Sequence, residues 1–307
     1  MSIPKEAYQA LESIVGAEYV SQDPVTCEAY GSQSYENEMG YSMINVKPAC
    51  VVLPKSTSEV QRIVKLCNRY DIPYTPVSTY WIVRGALKRE GGLLIDLKRM
   101  NKLEIDEKHM YATVEPAVVY SQLQQQAMDR GLYTVVPGGG AQVSVIGNHL
   151  NFSYSPLVYR VGLPGRRILG VEWVLPDGEM LRLGSLASNE DYFWGEAPGA
   201  DLRGILRGFI GWMGGLGVVT RMAVKLFPFQ PETPEPIGIS PNTTLALPPN
   251  RMRWINIGMP SREALVKAMF EIGKSEIGAA ATKVPVFWRH IAKAKTKEDF
   301  WESWSKV

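Results

Sequence analysis

Apolar residues near the N-terminus recur at helical spacing, Ala7, Leu11, Ile14 and Val15, and Gly16 stops the run, which predicts a short helix. From Ser21 to Lys47 the pattern is polar and irregular and reads as a surface-wrapping lead-in. The period then changes. Cys50 to Leu53 is a compact apolar strand closed by Pro54, and Ser56 with Glu59 three residues on forms a capping box. Val60, Ile63, Val64 and Cys67 mark the buried face of the helix that follows, ending near Tyr70, and Tyr74 to Val77 is the next strand. This strand–helix–strand unit implies a right-handed crossover and a small, partly parallel sheet.

Further along, Gly92 to Leu97 and Met110 to Glu115 predict strands, Ser121 to Arg130 a helix stopped by Gly131, and Leu132 to Val136 another strand. Ile168 to Leu175 and Glu179 to Leu183 flank Asp177-Gly178, a strong hairpin signal. Leu202 to Phe209 reads as a helix, and Gly214-Gly-Leu-Gly217 opens the strand Val218 to Phe227. Prolines thicken from Pro228 to Pro248, marking a linker or the edge of a second unit. Beyond it, Trp254 to Gly258 suggests a strand, and Ser261 to Gly273 and Glu298 to Trp304 suggest helices.

Two irregular stretches stand out against this frame. The first, Pro73 to Gly85, follows the crossover unit, and the second, Pro137 to Asn148, follows Leu132 to Val136. Both end strands in Gly, Ser and Thr, where backbone N–H groups can face a ligand with no Cβ in the way. Two such loops can hold a large anionic ligand from two sides; the alternative is that they merely turn the chain. No GxGxxG follows the first strand and no Gly-Lys-Ser/Thr is present, so NAD or ATP in their usual folds are disfavoured.

Composition narrows the class. A hydrophobic content of 45% and a charged content of 21% are those of a soluble globular protein. A net charge of +2, without basic runs, gives no case for nucleic acid. The apolar window Gly208 to Thr220 is too short and glycine-rich to span a membrane. Cys27, Cys50 and Cys67 have no metal-ligand spacing, so no metal is expected and a reduced, cytoplasmic setting fits.

Several short motifs then follow one another in a known order: Val51 to Val60, the loop after Tyr74, Gly92 to Asn101, Tyr111 to Pro116, Val145 to Asn148, Val174 to Gly178 and Gly215 to Thr220. Together they resemble the vanillyl-alcohol oxidase / p-cresol methylhydroxylase family of FAD-dependent oxidoreductases, over roughly Val46 to Pro228. The first loop, Pro76-Val-Ser-Thr79, looks most like the 4-cresol dehydrogenase branch, whereas glycolate and lactate dehydrogenases usually carry Arg-Gly-x-Gly-Thr there. Tyr80 and Trp81 depart from the small residues the family places in that loop.

The resemblance implies an α+β fold: a lead-in over 1–45, a two-lobed PCMH-type FAD-binding domain over 46–230 (lobes about 46–110 and 111–230), and a linker with a partial α+β cap over 231–307. It implies that Pro76, Val77, Ser78, Thr79, Tyr80, Trp81 and Ile82 cradle the FAD pyrophosphate. Pro137, Gly138, Gly139, Ser144, Gly147, Asn148 and Asn151 would run along the ribityl chain and flavin. Gly217, Val218 and Val219 would meet the adenine, although tight packing also explains the glycine. His149 is the catalytic candidate, able to stabilise negative charge on the reduced ring or shuttle a proton; a structural imidazole is the alternative. Tyr154, Tyr159 and Arg160 fall where the family often approaches the flavin edge, while His109 and His290 read as surface residues. With no His between Pro73 and Gly85, FAD is expected to be non-covalent.

The function implied is a dehydrogenase passing hydride from an organic small molecule, a 4-alkylphenol or other hydroxylated aromatic, to flavin N5. The alternatives are a 2-hydroxy-acid dehydrogenase subunit or a flavin electron-transfer subunit without its own substrate site. The short cap leads us to expect a second protein subunit, in a hetero-oligomer, that completes the cap or accepts the electrons.

Overall fold

The computed structural model describes residues 2–31, 47–80, 91–151, 155, 157–163, 167–184, 215–229, 236–237, 244–245, 255, 257–278, 280–283, 290 and 294–306, with the side chains of 159, 160, 236, 237, 244 and 245 excepted. The helix expected over Leu202 to Phe209 and the candidates Trp81, Ile82 and Tyr154 lie outside these residues, as do the side chains of Tyr159 and Arg160.

Helix α1 (Lys5–Val15) buries Ala7, Leu11 and Val15, as its spacing requires. The short strand β1 (Val20–Ser21) leads to α2 (Pro24–Gly31), which forms where an irregular lead-in was expected. The Asp23 carboxylate accepts the Thr26 N–H at 2.8 Å, and Pro24 opens the helix where a missing N–H costs nothing. Next come β2 (Cys50–Val52), α3 (Thr57–Arg69), β3 (Tyr74–Val77) and β4 (Leu93–Asp96). The first sheet has the order β1-β2-β4-β3, with β4 parallel to both β2 and β3 and β1 antiparallel to β2. Helix α3 packs on it through Val60, Ile63, Val64 and Cys67. Its capping box is displaced by one residue: Ser56 Oγ accepts the Glu59 N–H, but the Glu59 carboxylate reaches the Lys55 N–H at 2.7 Å.

The second lobe is built from β5 (Leu103–Asp106), β6 (Tyr111–Val114), α4 (Tyr120–Met128), β7 (Leu132–Tyr133), α5 (Val145–Leu150), β8 (Ile168–Val174), β9 (Met180–Gly184), β10 (Val218–Lys225) and β11 (Phe227–Pro228); the short helix α6 (Val158–Val161) falls between α5 and β8 in the chain but outside this lobe. Five strands make an antiparallel sheet in the order β5-β6-β10-β8-β9, while β7 pairs with β11. The β8–β9 hairpin turns at Gly178, at φ +84, as Asp177-Gly178 predicts.

Each lobe has its own core. One gathers Leu11, Val60, Ile63, Leu93 and Ile95; the other gathers Tyr120, Leu123, Val171 and Met222. Val174 and Val218 come from the second sheet yet join the first core, so the lobes share a small apolar bridge. The rest of the seam is a polar stripe along α3. Thr57 donates to Glu172 at 2.7 Å, Gln61 to the Gly178 carbonyl at 3.0 Å, Lys65 to Glu179 at 2.7 Å and Asn68 to the Pro176 carbonyl at 2.7 Å. Those four positions share one helical face. All three cysteines are free and buried in the first lobe, and burial pushes Cys50 and Cys67 up to about 12.

A short ribbon, β12 (Pro236–Ile237) with β13 (Thr244–Leu245), follows. The chain divides into two units, residues 1–155 with 163–253 and residues 156–162 with 254–307. The second unit holds α6, α7 (Arg262–Ser275, capped by Ser261) and α8 (Lys297–Trp304, capped by Thr296). Neither α7 nor α8 has a buried residue. Of the strand expected over Trp254 to Gly258, Trp254 and Asn256 lie outside the described residues; Ile255 and Ile257 are exposed, and no ladder pairs with them among the described residues. A strand's N–H and C=O groups need such a neighbour. No helix among the described residues is long and apolar enough to cross a membrane.

Candidate functional site

The first loop begins later than its sequence suggests. Pro76 and Val77 are still in the β3 ladder, opposite Ile95 and Asp96, and the Leu97 N–H donates to the Val77 carbonyl at 2.9 Å. The loop proper starts at Ser78. Tyr80 sits at φ +53, a left-handed conformation unusual for a tyrosine. Its hydroxyl donates to the Tyr30 carbonyl at 2.9 Å and its ring packs 6.2 Å from that of Tyr30. Tyr30 in turn donates to Asp96, which pairs with Lys98. The bulky Tyr80 thus anchors the loop to α2.

In the second loop the Gly140 N–H donates to the Pro137 carbonyl at 3.2 Å, with Gly140 at φ +108, so Gly138 and Gly139 lie in a turn without Cβ atoms. The following residues, read from sequence as loop, form α5. Ser144 caps it by accepting the Gly147 N–H at 3.1 Å, and its own hydroxyl donates to the Pro116 carbonyl at 2.7 Å. Asn151 closes the other end, donating to the Gly147 carbonyl at 2.9 Å. The loops meet here. The Ser144 N–H donates to Thr79 Oγ1 at 3.3 Å, and a Cβ placed on Gly147 would lie 3.5 Å from Ser78 Oγ.

Asn148 and His149 are buried, with the Asn148 amide donating to the Tyr120 hydroxyl at 2.6 Å. His149 Nδ1 lies 2.7 Å from the Val145 carbonyl and 3.2 Å from the Tyr120 hydroxyl. A carbonyl only accepts, so Nδ1 carries the proton. Burial, reinforced by the nearby charge of Arg167, pushes the His149 pKa down to about 3. The ring is neutral at physiological pH and offers a hydrogen bond, not a positive charge. The cation of this cluster is Arg167, a residue the sequence analysis does not single out.

Gly217 is required by packing: it sits at φ +105, and a Cβ there would come within 2.2 Å of the Val174 carbonyl. Val218 and Val219 pair with Val174 and Trp173 of β8, and the register slips before Arg221. On the other side, β10 pairs with β6 only from Met222 onward, so the edge at Val218 and Val219 carries no β6 partner.

A separate polar cleft of about 490 Å³ opens at the start of α3, lined in part by Ser56, Thr57, Thr113, Glu172, Arg182 and Thr220. Glu172 is saturated there by Thr57, Arg182 and Thr220. Burial alone would raise its pKa, but those donors hold it below the ordinary glutamate value.

The fold and paired loops define an α+β flavin-binding domain. Residues 48–184 match the family model described as FAD binding domain. Over 189 residues the chain is 32% identical to the glycolate oxidase subunit GlcD of Bacillus subtilis (strain 168), covering 61% of this chain and 38% of that protein. The 4-ethylphenol oxidase from Gulosibacter chungangensis superposes with a TM-score of 0.62 at 28% identity, covering 75% of this chain and 44% of that one. A p-cresol methylhydroxylase structure superposes with a TM-score of 0.63 at 24% identity, covering 75% and 45%. Residues 48–184 thus form an FAD binding domain, in a fold shared with PCMH-type FAD-linked oxidoreductases, and FAD is the cofactor such a domain takes. It spans less than half the length of these relatives.

The residues present fit that cofactor. Glycine-bearing and hydroxyl-bearing backbone from two loops converges at Ser78, Thr79, Ser144 and Gly147. The strand edge at Val218 and Val219 has no pairing strand on the β6 side among the described residues.

Proposed function

We propose that this chain is the FAD-carrying part of a dehydrogenase that oxidises a small organic molecule, with a 4-alkylphenol or other hydroxylated aromatic as the leading substrate class. The observation that carries the reading is the contact of Ser78 and Thr79 with Ser144 and Gly147, which brings the two expected cofactor loops together. Bound FAD supplies the acceptor for the two electrons of the substrate. The chain's own part is positional: N–H groups at Ser78 and Thr79 would face the pyrophosphate, the turn at Gly138 and Gly139 would run along the ribityl chain and flavin, and the edge of β10 at Val218 and Val219 would meet the adenine. The absence of His between Pro73 and Gly85 favours FAD held without a covalent bond in that loop.

The aromatic substrate is supported by the Pro76 to Thr79 loop and by the likeness to 4-ethylphenol oxidase. A 2-hydroxy acid is the second reading, favoured by the 32% identity to a glycolate oxidase subunit. Ile255, Ile257, Val266, Phe270 and Trp301 leave the second unit with exposed apolar surface, which supports contact with a further polypeptide that completes the cap or takes the electrons.

Purified protein should be yellow and release free FAD on acid denaturation. Under anaerobic conditions 4-ethylphenol should bleach the flavin, and glycolate or D-lactate should not. Bleaching by a hydroxy acid alone moves the assignment to the second reading. A colourless protein that takes up no FAD on reconstitution overturns both.

A further inference from the structure

Arg167 stands immediately before β8, is 3% exposed, and none of its three guanidinium nitrogens has a hydrogen-bond partner. A buried charge is normally paired, because nothing else replaces the water it has lost. The groups that feel its charge are Tyr120, Tyr133 and His149: two phenols and a neutral imidazole. Among the described residues no buried carboxylate is spare to serve it. The buried acids among the described residues are Glu59, Asp96 and Glu172, and each is committed elsewhere, to the Lys55 N–H, to Lys98 and to Arg182.

The same cluster holds a second mismatch. Asn148 Oδ1 is buried and has no donor, while its Nδ2 donates to the Tyr120 hydroxyl. The two ends of an amide have the same shape. With the amide reversed, the Tyr120 O–H donates to Oδ1 and the Asn148 NH₂ becomes a free donor in the cluster with Arg167. Tyr120, which Asn148 bonds and on which the charge of Arg167 acts, ties the two anomalies to one cluster, and an acceptor bearing negative charge answers each.

We infer that Arg167, with Asn148, forms a buried receiving site for an oxyanion of a bound small molecule, next to the α5 segment that lines the proposed cofactor site. The inference deepens the FAD reading and rests on it for the location. The oxyanion has two candidate sources with one chemistry, the anionic groups of FAD itself and the carboxylate of a small acid. Arg rather than Lys suits either, since its planar fork meets two oxygens at once.

The test compares wild type with R167K and R167M. In flavin-loaded protein the FAD dissociation constant and flavin midpoint potential report the cofactor, and oxalate titration followed by flavin absorbance reports a carboxylate. In flavin-free protein, thermal shift with oxalate and with inorganic phosphate reports the anion site without flavin. R167M is expected to lose tenfold or more in FAD affinity or in oxalate affinity, or to lower the potential, with R167K retaining most of the effect. The arm that changes names the source. Flavin-free R167M should melt no lower than wild type, because it removes an uncompensated charge, whereas a purely structural arginine would leave R167M less stable with and without ligand. Ligand affinities and potential within twofold of wild type, or an R167M that simply melts earlier, overturn the inference. If wild type takes up no FAD, the cofactor reading fails, and an Arg167-dependent thermal shift with phosphate or oxalate still supports the anion site, its absence overturning it. Should R167M fail to fold, R167K read against wild type in the same titrations decides: equal affinities for every ligand overturn the site.

Discussion

Replacing Glu172 by Gln isolates one tie in the seam between the lobes. The carboxylate is 6% exposed and accepts three hydrogen bonds, from Thr57 at 2.7 Å, Arg182 at 2.9 Å and Thr220 at 3.2 Å. Glutamine keeps the shape but turns one acceptor oxygen into a donor, facing groups that are themselves donors. Arg182 is half exposed, so its share is screened by water. Loss of one charge-assisted bond and one satisfied donor then destabilises the neutral protein by about 2 kcal/mol. For a chain of this size that is a fall of roughly 4–8 °C in Tm. The folded pKa of Glu172 lies below its ordinary 4.5, so its contribution is fully present above that value and is lost as pH falls through the folded pKa. Thermal unfolding followed by circular dichroism from pH 7 to pH 3 should show the gap between wild type and E172Q closing only below the ordinary glutamate value. A gap that stays constant to pH 3, or no gap at pH 7, refutes the reasoning.

Gly217→Ala should cost about 3 kcal/mol or more, since its Cβ would enter the Val174 carbonyl and φ is +105; Gly91→Ala, at φ +78 with nothing within 4 Å, should cost only about 1 kcal/mol. Equal urea midpoints for the two variants would show that the close approach is unimportant. The buried His149 ring, held near 3, stabilises the fold fully above the unfolded value of 6.5 and progressively less as pH falls toward 3. Wild type should therefore lose up to about 1.4 kcal/mol per pH unit between pH 6.5 and 5. His149→Gln should be flat there in urea titrations, and a flat wild-type profile would show the ring to be charged or exposed.

Where sequence and structure agree, a local period and a local stop signal coincide. Helix α1 has its apolar spacing and Gly16, α3 has Ser56 and Glu59, and the β8–β9 hairpin has Asp177-Gly178. What went unread depended on distant partners. Strand β5 is four residues at a sheet edge and is defined by its pairing with β6. Helix α5 is six residues with a glycine inside, and Ser144 was its only sign. A strand was expected over Trp254 to Gly258, but its described residues, Ile255, Ile257 and Gly258, pair with no strand among the described residues. At the candidate site, the glycine and hydroxyl residues of both loops could be picked out from sequence, and the structure brings Ser78 and Thr79 beside Ser144 and Gly147. Tyr80 looked misplaced because its anchor, Tyr30, is fifty residues away. Arg167 follows another arginine in the sequence and looks like a surface cation; only tertiary packing buries it.

The distribution of cysteines has a practical consequence. Cys27, Cys50 and Cys67 stand on α2, β2 and α3, all in the first lobe, and the second lobe has none. Burial raises all three thiols, leaving little thiolate at neutral pH and little solvent contact for an alkylating reagent, least at Cys50 and Cys67. Modification must wait for the first lobe to open, so the native chain carries its own stopwatch for the breathing of one half alone. The order in which the three sites gain mass separates fraying of α2, the helix that anchors the first loop through Tyr30, from rupture of the central strand and α3 beneath it.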